Sequence, residues 1–220
     1  CTSLGAQALK GLAHTVDAHR VHREHRTQTR SGAAATAGLT RLVGRALETA
    51  LLLARWTNAR AGAGHTVLLS GEPGIGKSRL VATLKERVAA DPHVVLEGAC
   101  APHRQHSAFH PIIDLLERAL DLHPDDAADV RLRTLETHLR GHGLPIAGAA
   151  PLLAPLLSIP PSASHVPLGL GPERARQRTQ ETLREWLLAM GAGQTLLLVI
   201  EDLHWADPST LACCRISSTP

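Results

Sequence analysis

The sequence predicts an α/β fold with a parallel sheet, and three observations carry that expectation. Apolar runs at residues 65–70, 94–97 and 196–200 have the length and the aliphatic content of buried strands. Between them lie segments whose apolar residues recur at helical spacing, the alternation expected of strands joined by crossover helices. A glycine-rich octet at 71–78 stands directly between the first run and a helical segment.

The totals allow one such domain. A chain of 220 residues can bury a real core and still carry a tail of about 40 residues. Apolar residues make up 44% and charged residues 20%, the proportions of a globular chain. Tyrosine is absent and phenylalanine occurs once, so the core must be built from Leu, Val, Ile and Ala. A formal charge of +3 and a pI near 8.9, with acids spread among the bases, argue against a nucleic-acid partner. Cys1, Cys100, Cys213 and Cys214 show neither C-x-x-C spacing nor a disulfide framework, which points to a reducing, cytoplasmic setting. No apolar run approaches the roughly 20 residues of a membrane span. The amino terminus lacks the apolar stretch of a signal peptide.

Taken in order, residues 1–38 differ from the rest. They hold LGAQALKGL, the basic HRVHREHRTQTR and a linker-like SGAAATAG. From Leu42 the pattern is helical, with Leu47, Leu51, Leu52 and Trp56 at helix-face spacings until Gly62 and Gly64. The strand at 65–70 follows, then the glycine octet, then a helix over 79–90 with Leu80, Val81, Leu84 and Val88 on one face. After the Asp91-Pro92 turn comes the strand at 94–97. Helices are expected at 110–122 and 125–140, and short helical turns through the proline-interrupted stretch 144–161. Pro172 opens a long helix to Met190, stopped by Gly191 and Gly193. The last strand, 196–200, ends in Glu201 and Asp202.

The octet Gly71-Glu72-Pro73-Gly74-Ile75-Gly76-Lys77-Ser78 fits the phosphate-binding pattern G-x-x-x-x-G-K-S, in the strand-loop-helix context that such a loop requires. Its glycines let successive N–H groups turn inward around phosphates, Lys77 offers charge to the β and γ oxygens, and Ser78 offers a hydroxyl to Mg²⁺. The candidate nucleotide-binding set is Gly71, Gly74, Ile75, Gly76, Lys77, Ser78 and Arg79. A fold that uses this loop also needs a carboxylate for the metal and one to polarise water. Glu201 and Asp202 are placed for those roles, so Lys77, Glu201 and Asp202 are the candidate catalytic residues and Ser78, Glu201 and Asp202 the candidate metal ligands.

Three strings carry a family resemblance: LVGR at 42–45, SGEPGIGKSRL at 70–80 and LLLVIEDLHWADPST at 196–210. Together they resemble the AAA-like or STAND-type P-loop ATPase regions of bacterial signalling proteins, found in LuxR-type regulators and beside class III adenylate/guanylate cyclase domains. The resemblance covers residues 39–211. It implies a P-loop NTPase fold, three-layer α/β/α with a parallel sheet, in which the acidic-pair strand lies between the phosphate-loop strand and 94–97. It also implies ATP and Mg²⁺ as ligands, attached sensor or output domains as partners, and Val43, Gly44 and Arg45 as the lining of the adenine pocket. By contrast Asp207, before Pro208 and Ser209, reads most simply as the cap of the next helix. The stretch LGAQALKGLAHTVDAHRV looks like the closing strands of a class III cyclase domain, with a basic tail as the alternative.

Cys100, His103, His106 and His110 have spacings that zinc could use, but a proline-containing loop in a His-rich chain is the plainer reading. The final LACCRISSTP does not continue the helix that the resembled family has after HWADPST, which predicts an incomplete domain lacking its sensor strand. Three functions are therefore in play: an ATP-binding, possibly ATP-hydrolysing, regulatory switch module; an AAA+ enzyme acting on nucleic acid; and a non-catalytic fragment.

Overall fold

The computed structural model describes residues 2–7, 14–20, 42–123, 125–161 and 168–214. It divides into two compact units, Cys1–Thr40 and Arg41–Pro220. In the first, β1 (Thr2–Gln7) and β2 (Val16–Arg20) form an antiparallel hairpin that pairs Thr2 with Arg20 and Gln7 with Val16, with a bulge between Ser3 and Gly5. Leu4 and Val16 are exposed on this ribbon. The LKGL string and the linker at 31–38 lie outside the described residues.

The second unit runs α1 (Ala46–Arg60), α2 (Lys77–Val88), β3 (His93–Ala99), α3 (His110–Ala119), α4 (Ala128–Gly141), α5 (Ile146–Leu156), α6 (Pro172–Met190), β4 (Thr195–Glu201) and α7 (Pro208–Cys214). Single 3₁₀ turns follow each of these strands, at Pro102–Arg104 and Leu203–Trp205. Strands β3 and β4 pair in parallel in unbroken register, from His93 opposite Thr195 to Ala99 opposite Glu201. A parallel pair needs a crossover, and this one contains α3 to α6.

Alternation along the strands sends side chains to two different cores. Val94, Leu96, Leu196, Leu198 and Ile200 pack into the larger cluster, whose centre is Ile112, Leu116, Leu135, Leu153 and Trp186 of α3 to α6. Leu197 points to the other cluster, formed by Leu52 and Trp56 of α1 with Leu80, Leu84 and Val88 of α2. Helices thus bury both faces of the sheet, which is what a strand as apolar as LLLVI requires. At Gly98 the α3 helix comes so close that an added Cβ would lie 3.1 Å from the Pro111 carbonyl oxygen and 3.2 Å from Ile200 Cδ1. Across the sheet, Lys85 of α2 pairs with Glu97 of β3 at 2.6 Å.

Four expectations need correction. The apolar run 65–70 is not a strand: it has no ladder partner among the described residues, and Val67 and Leu68 are exposed. Of this run only Leu69 packs against the smaller cluster, on which Leu197 of β4 also packs. The sheet of this unit consequently has two described strands instead of three. Within α1, Leu52 and Trp56 are buried, but Leu47 and Leu51 face solvent, because α2 covers only one side of the helix. Within the stretch 144–161 a single helix, α5 (Ile146–Leu156), forms despite Pro151 and Pro155 inside it. Each interior proline costs about 3 kcal/mol, and burial of Leu152 and Leu153 at roughly 2 kcal/mol each, with three buried alanines, offsets it. Finally, the helices expected at 79–90 and 125–140 begin and end elsewhere, at Lys77–Val88 and Ala128–Gly141.

Within the larger core, the fully buried Trp186 donates its indole N–H to His138 Nε2 at 3.1 Å, and the His138 and His142 rings lie 4.3 Å apart. Burial, reinforced by His142, pushes the His138 imidazole down to about 4. The folded state therefore keeps His138 neutral where the unfolded chain would take up a proton.

Two outcomes follow from this packing. Gly98→Ala should lower the urea midpoint by an amount equivalent to about 1–3 kcal/mol, whereas Gly141→Ala, which meets nothing within 4 Å, should be neutral or slightly stabilising. Stability should fall as pH drops from about 6.5 towards 4, the interval between the ordinary histidine value and that of folded His138. Urea titrations across that interval should show a shallower pH slope for His138→Gln than for the wild type.

Candidate functional site

The glycine octet opens directly into α2. Gly76 is the residue before the helix, and Gly74 and Gly76 take φ values of 81° and 98°, a backbone region that side-chain-bearing residues rarely enter. Those two turns bring the loop over the first turn of α2, where N–H groups have no acceptor within the helix. Lys77 is the first helical residue, and its ammonium reaches back across the loop to the carbonyl oxygens of Gly71 at 2.8 Å and Glu72 at 2.9 Å. Ser78 is exposed beside it. The result is a cationic group held over a concave run of backbone, the chemistry that recognises a phosphate chain.

Arg45 ties a second segment to this loop. Its guanidinium donates to the Ile75 carbonyl at 3.2 Å and forms an ion pair with Glu48 at 2.7 Å. That hydrogen bond from Arg45 holds the Glu48 carboxyl below the usual carboxylate range. The positive φ of Gly44, 76°, turns the chain just before Arg45. Val43 is 83% exposed, and the LVGR residue bonded to the octet is Arg45.

Glu201 and Asp202 close β4. Glu201 is the last strand residue, level with Ala99, and its carbonyl accepts the Cys100 N–H at 3.0 Å. Asp202 takes a left-handed conformation, φ 55°, and its carbonyl starts the 3₁₀ turn by accepting the Trp205 N–H at 2.9 Å. Aspartate tolerates this region better than most residues, yet the conformation still costs on the order of 1 kcal/mol. The strand exit is thus bent sharply at its second carboxylate. Leu69, two residues before the octet, and Leu197 of β4 both pack on the smaller cluster.

Asp207 is a helix cap. It is buried, its Oδ1 accepts the N–H groups of Ser209 at 2.8 Å and Thr210 at 3.1 Å, and its Oδ2 accepts the Thr210 hydroxyl. Both oxygens are committed to starting α7. His204 is exposed and stacks on Trp205 at 4.8 Å. Cys100 is buried at the end of β3, while His103 and His106 are exposed. Among the described residues no three His, Cys, Asp or Glu side chains converge as metal ligands. Burial, with the nearby Cys214, Asp207 and Asp202 charges, pushes the Cys100 thiol up to about 11.

Two features here carry no signal in the sequence. Arg176 of α6 donates to Ser209 Oγ at 3.0 Å, although nothing distinguishes it from Arg174 and Arg178 on the same helix. Phe109, the single phenylalanine, is buried with φ 61° just before α3.

The model of the AAA ATPase domain family matches residues 41–215, and the chain belongs to that family. An uncharacterised protein of Rhizobium meliloti (strain 1021) is 27% identical over 160 residues, which cover 70% of this chain and 15% of that protein. The chain thus spans a small part of the length of that curated relative. No solved structure matches it. Membership in the family makes this unit a nucleotide-binding ATPase module with an α/β fold. Among the described residues, no helix is long and apolar enough to cross a membrane.

Removing the Asp207 carboxylate should expose its role as a cap. Asp207→Ala is expected to cost about 1–2 kcal/mol, read as a lower urea midpoint. Asp207→Asn should recover much of the loss, because an amide oxygen still accepts one N–H.

Proposed function

We propose that residues 41–215 bind Mg-ATP and serve as the nucleotide-dependent switch of a larger bacterial signalling or transcriptional regulator. The observation that carries this reading is Lys77, the first residue of α2, held by Gly71 and Glu72 over a loop that Arg45 anchors through Ile75. An incoming triphosphate would take the Lys77 ammonium from those carbonyls and receive N–H donors from residues 74–79. Gly71, Gly74, Ile75, Gly76 and Arg79 complete that cradle, with Val43, Gly44 and Arg45 on the side of the base.

The donor set also fits a magnesium ion, whose chemistry when bound is to neutralise charge on the phosphates. Ser78 would supply a hydroxyl and Glu201 or Asp202 a carboxylate, oxygen ligands of the kind a hard cation prefers. The other carboxylate would orient and deprotonate the attacking water. In the three-layer P-loop arrangement that we infer for the whole domain, the run at 65–70 flanks β4 opposite β3. ATP is preferred over GTP on family grounds, and a cytoplasmic location fits the reduced cysteines.

The regulatory role rests on how much longer the related protein is than this chain. In this reading Cys1–Thr40 is the end of a neighbouring domain, and the hairpin of β1 and β2 fits the closing strands of a class III cyclase. Such a ribbon is marginal by itself and is at home on the edge of a larger sheet.

Calorimetric titration with Mg-ATP tests the reading. The wild-type chain should bind one equivalent, and Lys77→Ala should weaken binding about 10- to 100-fold, the loss of charge-assisted hydrogen bonds worth roughly 1.5–3 kcal/mol. Glu201→Gln should leave binding largely intact and lower any turnover about 10²-fold or more. Equal affinity of Lys77→Ala and wild type would overturn the assignment.

A further inference from the structure

A second concave site lies at the carboxyl ends of β3 and β4, a cleft of about 430 Å³ whose lining includes Gln105, His106, Phe109, Arg176, Asp207 and Ser209. None of its lining residues belongs to the glycine octet. The exit loop of β3 gives it residues 105–109, the exit of β4 gives it 207–209, and α6 gives it Arg176. The carboxyl edge of a parallel sheet is where α/β folds place ligands, and the volume falls in the lower part of the range for small-molecule sites, roughly 300–1,000 Å³.

Its chemistry has a clear sign. Arg176 makes no ion pair among the described residues, and its one hydrogen bond goes to the Ser209 hydroxyl, which leaves most of the guanidinium fork uncommitted. The Asp207 carboxylate does not neutralise it directly, because both its oxygens are bound to Ser209 N–H, Thr210 N–H and the Thr210 hydroxyl. Gln105 and His106 are also part of the lining, and Gln105 is steadied by a 2.9 Å bond from its Nε2 to the Pro102 carbonyl. The lining also has an apolar part, with Phe109, Ala108 and Pro208. Phe109 is only 4% exposed and keeps a left-handed backbone, a conformation that costs a bulky residue on the order of 1–2 kcal/mol. Strain of that kind clusters at ligand sites.

We propose that this cleft binds a small organic anion, a carboxylate or phosphate ester on an apolar body, with the anionic group on the Arg176 fork and the body against Phe109 and Pro208. A guanidinium grips either anion in bidentate fashion, and the apolar wall selects against the bare ion. The ligand would sit against the turn that joins Asp202 to Asp207, so it occupies a position from which an effector could act on the end of β4.

Titration calorimetry with phenyl phosphate, benzoate and inorganic phosphate tests this, carried out on the Lys77→Ala chain so that the phosphate loop is weakened and the Arg176 dependence reports the cleft. One equivalent of phenyl phosphate should bind, inorganic phosphate more weakly, and Arg176→Gln added to that chain should reduce phenyl phosphate affinity about tenfold or more. Arg176→Lys should fall between the two, since it keeps the charge and loses the fork. Because Arg176 is exposed, unchanged helical circular dichroism should accompany each loss. Benzoate binding with the same Arg176 dependence supports a general anion site, and binding by phenyl phosphate alone restricts it to phosphate esters. Binding that survives Arg176→Gln, or no binding to the Lys77→Ala chain, overturns the proposal. Neither result bears on Mg-ATP binding, which the wild type and Lys77→Ala report separately.

Discussion

Parallel pairing of β3 with β4 is the constraint on which the rest of this domain depends. Because the register is unbroken through Ala99 and Glu201, both chains leave the sheet at one edge and at one level. The first exit delivers Cys100 and the loop to Phe109; the second delivers Glu201, Asp202 and the Asp207 cap. An antiparallel pair would have sent these groups to opposite ends. The same alternation that assigns Leu196 and Leu198 to one core and Leu197 to the other seats helices on both faces, and α2 brings the phosphate loop with it.

The local order of elements was largely legible. Strands at 94–97 and 196–200 were readable because a continuous aliphatic run bounded by Asp-Pro or by glycines has few other uses, and Pro172 with Gly191 marked both ends of α6. The octet was readable because its spacing is a chemical specification. Asp207 could be identified as a cap from its position before Pro208 and Ser209. What failed is instructive. The run 65–70 has the composition of a strand, but composition reports only that a segment can pair, and here nothing supplies ladder bonds to it. Likewise the row of Leu47 and Leu51 adjoins that of Leu52 and Trp56 on the helix, while the pattern holds no information on how wide a face the neighbouring helix will cover.

The site divides along the same line. Residues whose role depends on sequence-local geometry, Gly74, Gly76, Lys77 and Asp207, were within reach. Those that act across long separations were not derivable from pattern. Arg45 reaches Ile75 over 30 residues, and Arg176 reaches Ser209 over 33. Only the family resemblance pointed to the first, and nothing pointed to the second. Phe109 and Asp202 are left-handed without glycine; aspartate's tolerance of that region is too general to single out Asp202, and nothing announces it for Phe109.

The segment at 65–70 has one leucine, Leu69, packed on the smaller core and no backbone ladder among the described residues. Its amides make no ladder bonds among the described residues, and in deuterated water they would trade their hydrogens long before those of β3 and β4. The phosphate loop is hung from this segment at one end and from a rigid helix at the other. On the Gly71 side the loop is held by Lys77 and not by a ladder, so a ligand that takes Lys77 from those carbonyls would be felt first in the chain leading back to α1.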